Sequence, residues 1–257
     1  MERFGQVIDY MDDDLEVTES VQPKQTQASE VVKLIWPAPS LDWMLRSGEV
    51  HVWSISLEQP KHQLKALAAT LSADEQGRAA RLRFENIRER WIAGRGLLRQ
   101  ILGYYVGCDP SEVCFEYGPN GKPVFPGSDH ALHFNFSHSG NLALCAISDE
   151  QAVGVDIEKI CFIAEAAPIA LRCFSREEQI EYDCATLEEK QRMFYRIWTR
   201  KEAVLKWNGR GIGNMEETLS QETAFTGFFQ ELVPAPGYIG CLAIEKRSKA
   251  VQLWQWT

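Results

Sequence analysis

Asp156 and Glu158 stand two residues apart in "AVGVDIEKI" (152–160), a segment that is otherwise apolar. On a strand, that spacing turns both carboxylates to one face. Two ionised acids placed so close repel, and neither can be buried without compensation. A divalent cation would supply it, and oxygen ligands with no adjacent Cys or His suit Mg2+ or Mn2+ better than zinc. An edge strand with its acids in water or paired with arginine would carry the same letters. In "FYRIWTRKEAVLKW" (194–207), Glu202 and Lys206 are four apart and share one helix face. Such pairs are common on protein surfaces; here Glu202 could also be a third carboxylate for the ion, with Lys206 beside an anion. "FNFSHSG" (134–140) puts Ser137 and His138, followed by Ser139 and Gly140, at a polar hairpin tip where hydroxyls and amides can cup an anion. Neighbouring residues do not spell a Ser–His–Asp relay, and a lone histidine is often structural. "NGKP" (120–123) sets Lys122 in a turn, where it could meet a phosphate.

These residues need elements to hold them. "EVHVWSISL" (49–57) alternates as a strand covered on both faces. The stretch from Leu71 to Gly107 is helical, opened by a capping box in Ser72 and Glu75, with a break expected at Asn86 or Gly94. "LHFNFSHSGNLALCAIS" (132–148) reads as a hairpin, and "AVGVDIEKI" as the next strand. A second helical block (174–211) opens with its own capping box, Ser175 and Glu178. Three strands follow, "AFTGFFQEL", "GYIGCLAIEK" and "VQLWQW".

The two helical blocks echo each other. Ser72-Ala-Asp-Glu-Gln76 returns as Ser175-Arg-Glu-Glu-Gln179, and Trp91, Arg95, Leu98 and Arg99 return as Trp198, Glu202, Leu205 and Lys206. The spacing implies a duplicated α+β unit: a polar acidic tail over 1–40, one half over 41–149 and a second over 150–257, with a cleft between the halves.

Composition narrows the function classes. The net charge of −9 argues against general nucleic-acid binding. Within that acidic chain, residues 78–99 hold seven arginines and two glutamates, which suggests a local anion site or a solvated basic helix face. No apolar run reaches the ~18 residues of a membrane span. The N-terminal residues lack the basic start and apolar core of a secretory signal. Seven cysteines, odd in number and without a CxxC pair, point to reduced thiols in the cytoplasm.

Taken in order, "NGKP", "FNFSHSG", "GVDIE" and "FYRIWTRKEAVLKWNGRGI" resemble the surfactin-synthetase-activating type of 4′-phosphopantetheinyl transferase, over roughly residues 45–257. The resemblance implies a pseudo-dimer of two similar α+β halves with coenzyme A in the cleft. The implied reaction moves the phosphopantetheine arm of coenzyme A to a serine of an apo acyl or peptidyl carrier protein. By similarity Asp156, Glu158 and Glu202 match the Mg2+ ligands, and Glu202 the residue that takes the serine proton. Lys206 matches the lysine near the pyrophosphate, Ser137 and His138 a pair on the coenzyme A phosphates, and Lys122 the lysine of the Gly-Lys-Pro turn. Arg90 matches a basic residue near the 3′-phosphate, with Arg81 as a second. Segment 159–193 includes carrier contacts in that family; for Phe162, Phe174 and Tyr182 core packing is the expected role. The implied molecule is a monomer, because one chain supplies both halves. A non-catalytic coenzyme A or carrier-binding protein of the same fold is the alternative reading. Another Mg2+-dependent phosphotransferase is a third, against which stands the missing P-loop.

Overall fold

The computed structural model describes residues 36–39, 44–117, 123–125, 132–209 and 225–256. Residues 1–35 and 40 of the acidic tail, and Lys122, lie outside the described residues, whereas Trp36 at the tail's end is buried in the core between the sheets. The first part of the chain forms β1 (Glu49–Ser56), α1 (Lys61–Ala69), α2 (Ala73–Arg81), α3 (Glu85–Val106), the short strands β2 (Glu116–Tyr117) and β3 (Pro123–Val124), β4 (His133–Ser139) and β5 (Leu142–Ser148). The second forms β6 (Val153–Lys159), α4 (Ala166–Cys173), α5 (Arg176–Cys184), α6 (Lys190–Asn208), β7 (Phe228–Leu232), β8 (Tyr238–Ile244) and β9 (Ala250–Trp256). The protein is therefore α+β, as the patterning implied.

Two main sheets carry the fold, one in the order β4-β5-β1-β9 and one in the order β6-β8-β7. β1 is central in the first, antiparallel to β5 and parallel to β9, and both its faces are covered, one by α3 and the other by the second sheet. The pairing with β9 is a feature the sequence hides: the last strand, well past residue 150, returns to the first sheet. Alternation assigns the faces. Trp53, Ile55, Cys145 and Ile147 point to α3 and pack on Leu98, Ile101 and Leu102. Val50, Val52, Leu144 and Ala146 point the other way, onto Val153, Val155, Ile157 and Leu242 of the second sheet. On the far side of that sheet lies α6, whose Ala203 and Val204 cluster with Cys241 and Ala243 of β8.

Both expected capping boxes are present. Ser72 accepts from the Glu75 amide, Ser175 from the Glu178 amide, and each glutamate returns the bond. The break in the first helical block falls at Leu82–Phe84, just before Asn86, and Gly94 is no break: α3 runs through it. A Cβ at Gly94 would meet Leu57 and Phe136 only at ordinary contact distances of 3.4 and 3.5 Å; the close approach in α3 is at Gly96, where a Cβ would lie 2.7 Å from Leu67 Cβ. Phe174 and Tyr182 are core residues as expected, stacked edge to face. Phe162 corrects that expectation, being 75% exposed. The seven cysteines are free thiols. Among the described residues no helix is long and apolar enough to cross a membrane.

Candidate active site

With Val153, Val155 and Ile157 committed to the core between the sheets, Gly154, Asp156 and Glu158 must face the other side of β6, where α6 lies. Gly154 sets how near the helix comes. A methyl group there would overlap the Ala203 carbonyl oxygen and the Trp207 amide nitrogen, and would lie 2.8 Å from Trp207 Cα. The helix thus rests on strand backbone, and Glu202 and Lys206, one turn apart, are delivered to the acids of β6.

The Lys206 ammonium sits 2.5 Å from Asp156 Oδ1 and donates to Ser137 Oγ at 2.7 Å. Ser137 in turn donates to Asp156 Oδ1 at 2.9 Å. Asp156 Oδ2 is buried with no hydrogen-bond partner among the described residues. A carboxylate oxygen left bare in a buried position is costly. Glu158 receives the Ser139 hydroxyl at 2.8 Å.

The electrostatics agree. Burial, reinforced by the Asp156 charge, pushes the Glu158 carboxyl up to about 8. The same two causes push Glu202 up to about 7. Burial works against the Lys206 ammonium, yet the charges of Asp156 and Glu202 outweigh it and hold its pKa above the ordinary value. Three carboxylates therefore share one field with too little positive charge to satisfy it. Among the described residues no three such groups already form a closed cluster for an ion. The bare Asp156 Oδ2 and the mutual repulsion nevertheless fit an oxygen-ligated cation such as Mg2+, to which Asp156, Glu158 and Glu202 would all contribute.

A cavity of about 350 Å³ opens beside this site, lined among others by Arg78, Arg90, Trp91, Arg95, Phe136 and His138. β4 is the wall between the two. Its Phe136 and His138 face the cavity, while Asn135, Ser137 and Ser139 face β6. Ser137 and His138, adjacent in sequence, thus serve opposite sides of one strand, and they lie within β4 rather than at the turn, which falls at Gly140 and Asn141. Arg90 Nη1 donates to the Gly140 carbonyl at 3.2 Å. Arg81 is exposed and is not among the cavity-lining residues; Arg78 and Arg95 are.

Residues that the motifs do not single out hold these parts in place. Glu75, buried at the start of α2, pairs with Arg95 at 2.5 Å and Arg99 at 2.7 Å on α3. Glu178, in the matching place on α5, pairs with buried Lys201 on α6 at 2.7 Å. Each capping-box glutamate has a second task, tying a short helix to the long one behind it. The repeated Ser-x-x-Glu was the signal available, but which cation each glutamate meets depends on packing.

The architecture is that of an α+β protein with a buried centre of Asp156, Glu158, Glu202 and Lys206 next to an arginine-lined cavity. The model of the 4′-phosphopantetheinyl transferase superfamily matches residues 152–230, and that of the 4′-phosphopantetheinyl transferase N-terminal region matches residues 56–150. The chain is 40% identical to the 4′-phosphopantetheinyl transferase HetI of Nostoc sp., over 82% of this chain and 94% of the relative. It is 43% identical to the 4′-phosphopantetheinyl transferase AcpT of Escherichia coli (strain K12), over 48% of this chain and 58% of the relative. Against the 4′-phosphopantetheinyl transferase Sfp of Bacillus subtilis (strain 168) the identity is 29%, over 63% and 71%. The chain belongs to the 4′-phosphopantetheinyl transferase superfamily.

Proposed function

We propose that this transferase moves the 4′-phosphopantetheine arm of coenzyme A to a serine of an apo acyl or peptidyl carrier protein, releasing adenosine 3′,5′-bisphosphate. The observation that carries the residue roles is the convergence of Asp156, Glu202 and Lys206 from β6 and α6, with Asp156 Oδ2 left bare. Mg2+, or Mn2+, held by Asp156, Glu158 and Glu202 would neutralise the pyrophosphate of coenzyme A. Glu202 would act as the base, taking the serine proton directly or through one water. The serine oxygen then bonds to the β-phosphorus, and the bond from that phosphorus to the departing adenosine bisphosphate breaks. Lys206, cationic throughout, meets the charge that grows on the leaving phosphate.

Arg90 and His138, on the cavity side of β4, would hold the nucleotide end, with Ser137 bridging toward the acids. Lys122 is proposed as a further phosphate contact on the resemblance alone. The two halves, 41–149 and 150–257, with β9 of the second joined to the first sheet, would then flank the bound coenzyme as a pseudo-dimer, in a cytoplasmic monomer that engages neither nucleic acid nor membrane. The test is to incubate the chain with coenzyme A, Mg2+ and a panel of apo carriers: one carrier should gain the mass of a single phosphopantetheine. Folded protein that binds coenzyme A yet modifies no carrier in the panel would favour the non-catalytic reading. Release of a product other than adenosine 3′,5′-bisphosphate would favour a different phosphotransferase.

Two further outcomes are expected. Chelation with EDTA should abolish transfer, with full recovery on adding Mg2+; turnover that continues in the chelator excludes the metal role. Arg90→Ala removes a cationic wall of the cavity and the bond to Gly140, so KM for coenzyme A should rise by about tenfold or more, since hydrogen bonds to charged groups contribute ~1.5–3 kcal/mol. Arg90→Lys should recover only part of this, lacking the planar fork. An unchanged KM in Arg90→Ala would remove Arg90 from the binding set.

A further inference from the structure

The two sheets meet along β4 and β6, and both are edge strands. Exposed edges carry unpaired amides that need partners. Here the partners are side chains. Asn135, Ser137 and Ser139, at alternate positions of β4, are 6%, 5% and 5% exposed. Asn135 Oδ1 accepts the Val155 amide at 2.8 Å. Ser139 Oγ accepts the Lys159 amide at 3.1 Å and donates its own hydrogen to Glu158 Oε2 at 2.8 Å. Ser137 spans the middle through Asp156. Polar side chains at a two-residue period on one strand thus stand where backbone carbonyls would stand in a continuous sheet.

We propose that Asn135 and Ser139 are positioning residues: they form a side-chain seam that joins the two sheets, sets the register of β6 against β4, and aims Glu158 at the ion. The metal part of this rests on the proposed function above. The seam itself rests only on the hydrogen bonds. A hydroxyl has one hydrogen to give, and Ser139 gives it to Glu158 while its lone pair takes Lys159 N–H, so both the strand edge and the carboxylate rotamer depend on one atom. Two strands joined by ordinary ladder bonds could not do this, because a carbonyl has no hydrogen to offer a carboxylate. A seam of side chains leaves an edge in register and still provides a donor to hold an acid in place.

The full-length chain tests this with Ser139→Ala, Ser139→Thr and Asn135→Ala, through three readouts. Amide hydrogen exchange should accelerate at Lys159 in Ser139→Ala and at Val155 in Asn135→Ala, with β8 still protected. Mn2+ titrated in the presence of coenzyme A and followed by electron paramagnetic resonance should bind Ser139→Ala about 10–100-fold more weakly, the usual consequence of removing a hydrogen-bond partner of a ligating group. The Mg2+ concentration for half-maximal transfer should rise in parallel, while KM for coenzyme A holds. Ser139→Thr, which keeps the hydroxyl, should restore all three. A lower melting temperature in Ser139→Ala with unchanged Mn2+ affinity would reduce the residue to packing and overturn its positioning role. Protection retained at Lys159 in Ser139→Ala would overturn the seam. Wild-type protein that neither binds Mn2+ nor transfers would refute the proposed function and with it the aiming of Glu158, leaving exchange to judge the seam separately. Ser139→Ala deletes a single oxygen, so the decision stands on it should Asn135→Ala fail to fold.

Discussion

Glu202→Gln should lower transfer by about 10²–10⁴-fold, the range a positioned general base contributes. Glutamine keeps the shape and one oxygen but cannot accept the serine proton or offer a full charge to a cation. Coenzyme A binding should persist, because the arginine-lined cavity lies on the other face of β4. Stability should move the opposite way. Burial and the Asp156 charge raise the Glu202 carboxyl to about 7 in the fold, well above its ordinary value. A carboxyl raised on folding stabilises nothing when ionised: the fold is favoured while the group is protonated, and the penalty appears as pH rises toward and through about 7. At pH 8 without metal, the neutral glutamine removes that penalty. Metal-free Glu202→Gln should therefore melt no lower than wild type while losing turnover. Loss of both together would mean that Glu202 is a structural residue. Transfer close to the wild-type rate would leave it with no chemical role.

Gly154→Ala carries the second large effect, and it acts through distance alone. The added methyl overlaps the Ala203 carbonyl and the Trp207 amide, both backbone atoms of α6. Backbone in a packed helix cannot swing aside as a long side chain can, so α6 must lift or β6 must bend. Overpacking of this kind costs roughly 1–3 kcal/mol and sometimes more. Because α6 also carries Glu202 and Lys206, the surviving folded molecules should show reduced turnover at saturating coenzyme A. Gly77→Ala is the control of opposite sign. Gly77 lies inside α2, where a Cβ meets only Arg81 Nη1, at 3.9 Å. Alanine there should stabilise by about 0.5–1 kcal/mol through helix propensity and leave transfer untouched. Thermal melts of both variants with turnover at saturating substrate decide the matter; equal behaviour would refute the close-approach account.

Several features were legible in the letters because they are local. Two capping boxes need only a hydroxyl and a glutamate three residues apart, and both formed. Strand alternation sent Asp156 and Glu158 to a common face, and helix periodicity set Glu202 one turn from Lys206. The internal echo also has a structural counterpart, since Glu75 and Glu178 each brace a long helix from the same place in a short one. The helix break falls at Leu82–Phe84, just before Asn86, where the chain turns extended. Gly94 reads as an interruption in the letters, but the helix from Glu85 to Val106 runs straight through it.

What needed the folded chain was everything decided across space. That Lys206 meets Asp156, fifty residues away in sequence, follows from the height at which α6 rests on Gly154. That Ser137 meets Asp156 while His138 lines the cavity follows from β4 being a wall with two occupied faces. The return of β9 to the first sheet depends on β1 having an unpaired flank, which no pattern within β9 encodes. Residue type and period determine which way a side chain points along its own element, because that is set by backbone geometry over a few residues. They do not determine what it points at, because that is set by which apolar faces find each other when the whole chain collapses.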